Sequence, residues 1–155
     1  MLQHLSDPVG AIAAMAGLAR RGGVIAARDG DYGAFTWWPA SRGLERWREV
    51  YSAVARRNAG EPNAGRFLLS WARAAGWSDP VYSSSTWTFA TAEGRTWWSQ
   101  LWAERCTTSS FARQAVEYAI ATLEELEVLG GEWRAWAEDP GGVFIVVHAE
   151  VIGHR

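Results

Sequence analysis

Apolar residues recur at Ile12, Met15, Leu18 and Ala19, behind Ser6-Asp7-Pro8, a capping side chain followed by proline where a first helical turn tolerates it. This spacing predicts a helix from Asp7 to Arg20, stopped by Gly22-Gly23. Val24-Ile25-Ala26-Ala27 is a short continuous apolar run that turns polar at once in Arg28-Asp29-Gly30-Asp31. Such a run reads as a strand buried on both faces, as in a parallel sheet. Leu44, Trp47, Val50, Tyr51 and Val54 then line one face of a second helix, which ends near Asn58-Ala59-Gly60. A third helix, Gly65 to Ala75, carries Phe67, Leu68, Trp71 and Ala72, with Gly76 where a left-handed cap falls.

Val81 to Ala90 is rich in β-branched, aromatic and serine residues and predicts an extended strand with one moderately apolar face. Three further helices follow. Thr91 caps one bearing Trp97, Trp98, Leu101 and Trp102, and Ser109 or Ser110 caps another bearing Phe111, Ala115, Val116 and Ala119. Thr122 with Glu125 makes a capping box before Leu126, Leu129, Trp133 and Trp136. Asp139-Pro140-Gly141-Gly142 breaks the chain, and Val143 to Ile152 is the strongest strand pattern present. Strand and helix patterns mixed in this order predict an α/β fold in one domain over residues 1–155, with about three main strands covered by helices on both faces, and about six helices.

Composition narrows the class. The chain of 155 residues has 48% hydrophobic and 21% charged content, enough for one domain with a substantial core. Its 15 basic residues are nearly matched by 17 acidic ones, so there is no electrostatic footprint for nucleic acid and no basic stripe for an anionic membrane. The lone Cys106 excludes an internal disulfide, which makes a reducing cytoplasm the expected compartment. No apolar run reaches the roughly 18 residues of a membrane span, and the start lacks signal-peptide character. Eleven tryptophans are the outlying number.

Candidate chemistry is sparse. His4, His148 and His154 have no carboxylate or thiol at a recognised ligand spacing, so no metal site is expected, and His148 reads as a structural histidine inside the last strand. No Gly-x-Gly occurs, which disfavours a dinucleotide cradle, and no hydrolase elbow or triad can be built. Asp29-Gly30-Asp31 resembles the ion-holding aspartate pair of nucleotide-sugar glycosyltransferases, but an ordinary polar strand end explains it better. The place still counts, because ligands of open α/β sheets sit beyond the carboxyl ends of parallel strands. Arg28, Asp29, Asp31 and Tyr32 would face that crevice, with the indoles of Trp37 and Trp38 as walls of an apolar pocket.

Leu2-Gln3-His4-Leu5-Ser6-Asp7-Pro8, a helix, and then Arg21-Gly22-Gly23-Val24-Ile25-Ala26-Ala27-Arg28-Asp29 together resemble the second half of class I S-adenosylmethionine-dependent methyltransferases, of the bacterial small-molecule type. The segment Gly65 to Trp77 resembles the helix before strand six of that group, and Gly142 to Glu150 resembles its strand seven. The resemblance implies the C-terminal half of a Rossmann-like fold, with one parallel-type strand and the last two strands an antiparallel pair. It implies that Gln3 and His4 lie near the cofactor, S-adenosylmethionine, and that Arg28, Asp29, Tyr32, Trp37 and Trp38 line the pocket for a small-molecule acceptor. His4 or Asp29 would serve as general base. The helices between residues 91 and 138 would cover the pocket.

The family holds its cofactor mainly through a glycine-rich loop after strand one and a carboxylate after strand two. By resemblance this chain starts at the end of strand four, so strands one to four are expected to be missing, in agreement with the absence of Gly-x-Gly. The first strand would then be an edge needing a partner, either a second copy or a complementing N-terminal half. The two readings that follow are an incomplete methyltransferase, inactive alone, and a non-catalytic remnant that binds an apolar ligand or partner through its tryptophan-rich surface.

Overall fold

A computed structural model describes residues 1–155. The local signals above become six α-helices: α1 (Pro8–Leu18), α2 (Arg42–Arg57), α3 (Ala64–Ala74), α4 (Ala92–Thr108), α5 (Ser110–Glu117) and α6 (Leu123–Glu138). Four strands accompany them: β1 (Val24–Gly30), β2 (Thr36–Trp38), β3 (Ser78–Phe89) and β4 (Val143–His154). The caps form as their side chains dictate. Asp7 accepts from the Gly10 N–H at 2.8 Å, Thr91 from Gly94 at 3.1 Å, Ser109 from Ala112 at 3.4 Å and Thr122 from Glu125 at 3.1 Å. No helix is long and apolar enough to cross a membrane.

The strands form a four-stranded antiparallel sheet in which β4 is the common partner. β1 pairs with it from Val24↔His154 to Gly30↔His148, β2 from Thr36↔Ile145 to Trp38↔Val143, and β3 also pairs with β4. Two expectations are corrected here. β1 is not of the parallel type, because its one partner runs antiparallel to it. β2 is a fourth strand where about three were expected. The Val24–Ala27 run looked two-sided, yet side chains alternate across a strand: Ile25 is buried, whereas Val24 and Ala26 are exposed.

The chain divides into two compact units. Unit 1 comprises residues 1–34, 58–87 and 146–155. Its core joins Ile12 of α1 and Leu68 and Ala72 of α3 to Ile25, Ala149 and Val151 of the sheet, closed by Leu2 and Trp77. Both helices therefore cover the same sheet face, and the expected cover on both faces is absent from this unit. Gly65 lets α3 approach β1 closely, since a Cβ there would meet Asp31 Cβ at 3.1 Å and Asp29 O at 3.3 Å. Arg155 ends α1 by donating to the carbonyls of Gly17 and Ala19.

Unit 2 comprises residues 35–57 and 88–145, and its core is aromatic. The fully buried Trp47 meets Trp102 (4.4 Å, 73°) and Trp133 (4.8 Å, 84°) edge to face, and Trp133 and Trp136 both reach Phe144 at the start of β4. Gly130 on α6 lies against the backbone of Ala103 on α4, where a Cβ would come within 3.2 Å of the carbonyl oxygen. Arg46 of α2 holds Glu125 at 2.7 Å, and that contact keeps the Glu125 carboxyl below its ordinary range. The buried indole N–H groups of Trp98 and Trp133 have no acceptor. A buried donor left unmade costs about 1–3 kcal/mol, and the ring burial outweighs it. Trp133→Ala is therefore expected to cost about 3–5 kcal/mol in urea unfolding. Trp133→Phe should cost markedly less, because it keeps most of the ring and removes the orphan donor; equal losses would contradict this account of the core.

Candidate functional site

The carboxyl end of β1 brings together the first residues of the chain and the loop ahead of α3. Alternation sends Asp29 and Asp31 toward α3 and Arg28 to the opposite face. Both aspartates are only 5% exposed, and each has its own set of donors. Asp29 Oδ2 accepts from the Met1 amino group at 2.9 Å and from the Gln3 N–H at 3.1 Å, and Oδ1 accepts from the Gly30 N–H at 3.0 Å. Asp31 receives Arg66 bidentately, Nε to Oδ2 at 2.7 Å and Nη2 to Oδ1 at 2.6 Å. That pairing raises the Arg66 pKa further above its usual value. Gln3 is also tied through its carbonyl to the Glu61 N–H at 2.9 Å, and Asn63 Oδ1 accepts from the Gly33 N–H at 2.8 Å. Tyr82 donates to the Gly65 carbonyl at 3.2 Å, and burial, with the Asp31 charge behind it, pushes its phenol up.

Of the residues expected from the sequence, Gln3 and Asp29 do meet here, and Tyr32 lies buried just beyond them. His4 is exposed on the same turn. Arg28 is separated from Asp29 by the thickness of the strand. It belongs to an outer-face cluster, with Nε to Glu150 Oε1 at 2.8 Å, Nη2 to Ser85 Oγ at 3.0 Å, and its guanidinium 5.2 Å from the centre of the Trp87 ring. In unit 2, Trp37 stacks on Phe144 (5.5 Å, 8°) beneath Arg48 at 4.9 Å, beside a hollow of about 200 Å³ lined by Phe35, Thr36, Ala40 and Glu45. Trp38 is exposed, and its carbonyl accepts from the Trp136 indole at 3.0 Å. Arg66 and Glu150 went unnoticed in the sequence, since both pairings are long-range and no local spacing announces them.

Chemically, the site offers little to a cofactor or an ion. The carboxylates of Asp29 and Asp31 are filled by protein donors, and no three His, Cys, Asp or Glu residues gather as ligands. One group is unfilled: Gln3 Oε1 is buried without a donor. A single amide acceptor can meet one donor of a nucleoside but cannot enclose a ribose and an adenine. These residues alone therefore do not fit S-adenosylmethionine.

Two outcomes follow. Arg66→Ala strands the buried Asp31 carboxylate and is expected to cost about 1–3 kcal/mol, the half-exposed guanidinium keeping the loss below that of a fully buried pair. Arg66→Lys should recover only part of this, because an ammonium cannot span both oxygens; full recovery in chemical unfolding would show that bidentate geometry is irrelevant. His148 on β4 has its pKa lowered, first by desolvation and then by Arg28, and its Nδ1 is buried without a partner. A histidine whose folded pKa lies below its unfolded value of about 6.5 contributes stability that is lost as pH falls through that window. Melting temperature should therefore decline from pH 7 to 5, and His148→Gln should flatten the decline; an unchanged slope would exclude His148 as its source.

No family model matches the chain. Over 155 residues, 98% of this chain, the sequence is 27% identical to an uncharacterized methyltransferase of Schizosaccharomyces pombe. The chain spans 54% of that protein's length.

Proposed function

We propose that the chain is the carboxy-terminal part of a class I S-adenosylmethionine-dependent methyltransferase fold, directed at a small-molecule acceptor and inactive by itself. The observation that carries this reading is a likeness to a named methyltransferase along 98% of the chain, in a sequence with no Gly-x-Gly and a site that cannot enclose a nucleoside. The pairing of β3 with β4 supports it, since the resemblance expects the last two main strands to lie together.

Under this reading Asp29 is a positioning residue. Its carboxylate holds the Gln3 backbone against the end of β1, which fixes the Gln3-His4 turn. His4, exposed on that turn, is the better general base, because the oxygens of Asp29 already accept three N–H donors. Tyr32 belongs to the acceptor side by the same resemblance, and Arg28 to the other face of its strand. S-adenosylmethionine, when bound, supplies an electrophilic methyl group, and the protein's part is mainly alignment.

A specific observation favours the second reading, a remnant that binds apolar ligands: an open hollow of about 640 Å³ lies beside the exposed Trp97 in unit 2. Titration separates the two. The chain alone should show no micromolar heat of binding with S-adenosylmethionine, and fusion of a front half carrying an Asp-x-Gly-x-Gly segment ahead of Met1 should restore it. Binding by the chain alone would overturn the incomplete-site reading, and no binding by the fusion would overturn the cofactor assignment.

A further inference from the structure

We propose that the hollow between β2 and the start of α2 in unit 2 is a binding site for a small zwitterion, an α-amino acid of about the size of valine, with Arg48 holding its carboxylate and Glu45 its ammonium group. The proposal stands apart from the methyltransferase reading, because it involves neither S-adenosylmethionine nor the end of β1.

The local sequence builds the hollow. Side chains alternate along β2, so Trp37 turns inward onto Phe144 while Thr36 stays exposed. After Pro39 and Ala40, Ser41 Oγ accepts from the Leu44 N–H at 3.1 Å and starts α2. Glu45 then falls in the first turn of the helix and Arg48 nearly one turn later, on the same side. These two, with Phe35, Thr36, Trp37 and Ala40, line a hollow of about 200 Å³.

Its two charges are opposite, and they do not pair with each other. A glutamate three residues ahead of an arginine on a helix is within reach of an ion pair. Here Arg48 turns back to β2 instead: Nη1 donates to the Phe35 carbonyl at 3.2 Å, and the guanidinium lies 4.9 Å from the centre of the Trp37 ring. The next carboxylate along, Glu49, is taken by Arg46 at 3.4 Å. Arg48 is half-buried, and its remaining N–H groups, on Nε and Nη2, have no protein acceptor. A cation pinned by a carbonyl and a ring, and already stripped of part of its water, takes a carboxylate with little ordering cost.

Glu45 decides the class of ligand. It is exposed on the rim and pairs with no cation. A simple anion on Arg48 would meet its charge as a repulsion, whereas a zwitterion answers both charges at once. Size narrows the choice further: at roughly 30 Å³ for each water-sized group, the hollow takes on the order of seven heavy atoms. The apolar part of the lining, Phe35, Trp37 and Ala40, suits a short aliphatic side chain.

The test is an NMR titration of the 155-residue chain, with backbone amide shifts followed as L-valine is added. Isovalerate, which lacks the ammonium group, and isobutylamine, which lacks the carboxylate, are titrated beside it. L-valine is expected to shift amides between residues 35 and 48 with a millimolar Kd, and each analogue to bind about tenfold more weakly or worse. Arg48→Gln should abolish the response to L-valine. Glu45→Gln, an exposed change that leaves the folded core untouched, should weaken L-valine by about tenfold without weakening isovalerate. The absence of a saturable L-valine shift at these residues would overturn the proposal. So would isovalerate binding as tightly as L-valine, or L-valine binding unaltered by the Glu45 substitution.

Discussion

β4 is the strand on which the others depend. β1 pairs with its later residues and β2 with its first three, while β3 pairs with it as well. Phe144 at its start is fully buried among Trp47, Trp133 and Trp136 in unit 2, and Ala149 and Val151 complete the core of unit 1. Burying a phenylalanine or valine such as Phe144 or Val151 contributes roughly 1.5–3 kcal/mol, and the backbone ladder is satisfied only while the strand is in place. A single strand thus completes both cores, although it is the last element in the chain.

The second constraint is the disposal of two buried carboxylates at the end of β1. An ionised aspartate is tolerated away from water only when its oxygens are filled. Asp29 meets this by fixing the start of the chain, and Asp31 by fixing α3 through Arg66. The same bonds that offset burial hold the Gln3-His4 turn and the loop after β1 in register. Scaffold and candidate site are therefore one set of contacts: stability and positioning of His4 rest on the same oxygens.

Local chemistry was legible in the sequence. The caps at Asp7, Thr91, Ser109 and Thr122 are decided within three residues, and the break at Gly141-Gly142 before β4 is equally local. Gly76 adopts the left-handed conformation assigned to it, with φ of 79°. What escaped was set by partners far along the chain. β2 is three residues long and exists because Trp37 stacks on Phe144, over a hundred residues later in sequence. β1 reads as doubly buried because alanine suits either face. Of the candidate site, the hydrogen bond from the Gln3 N–H to Asp29 and the pairings of Arg66 and Glu150 join residues far apart in the chain, and no local spacing encodes them.

An unfinished edge on β1 is the claim that ties the fold to the proposed function, and native-state hydrogen exchange of the 155-residue chain reads it residue by residue. Amides of Ile25, Ala27 and Asp29, bonded toward β4, should be protected, while those of Val24, Ala26 and Arg28 exchange close to the rate of an open chain. Equal, strong protection at all six would mean that the edge is already covered, and would contradict the account.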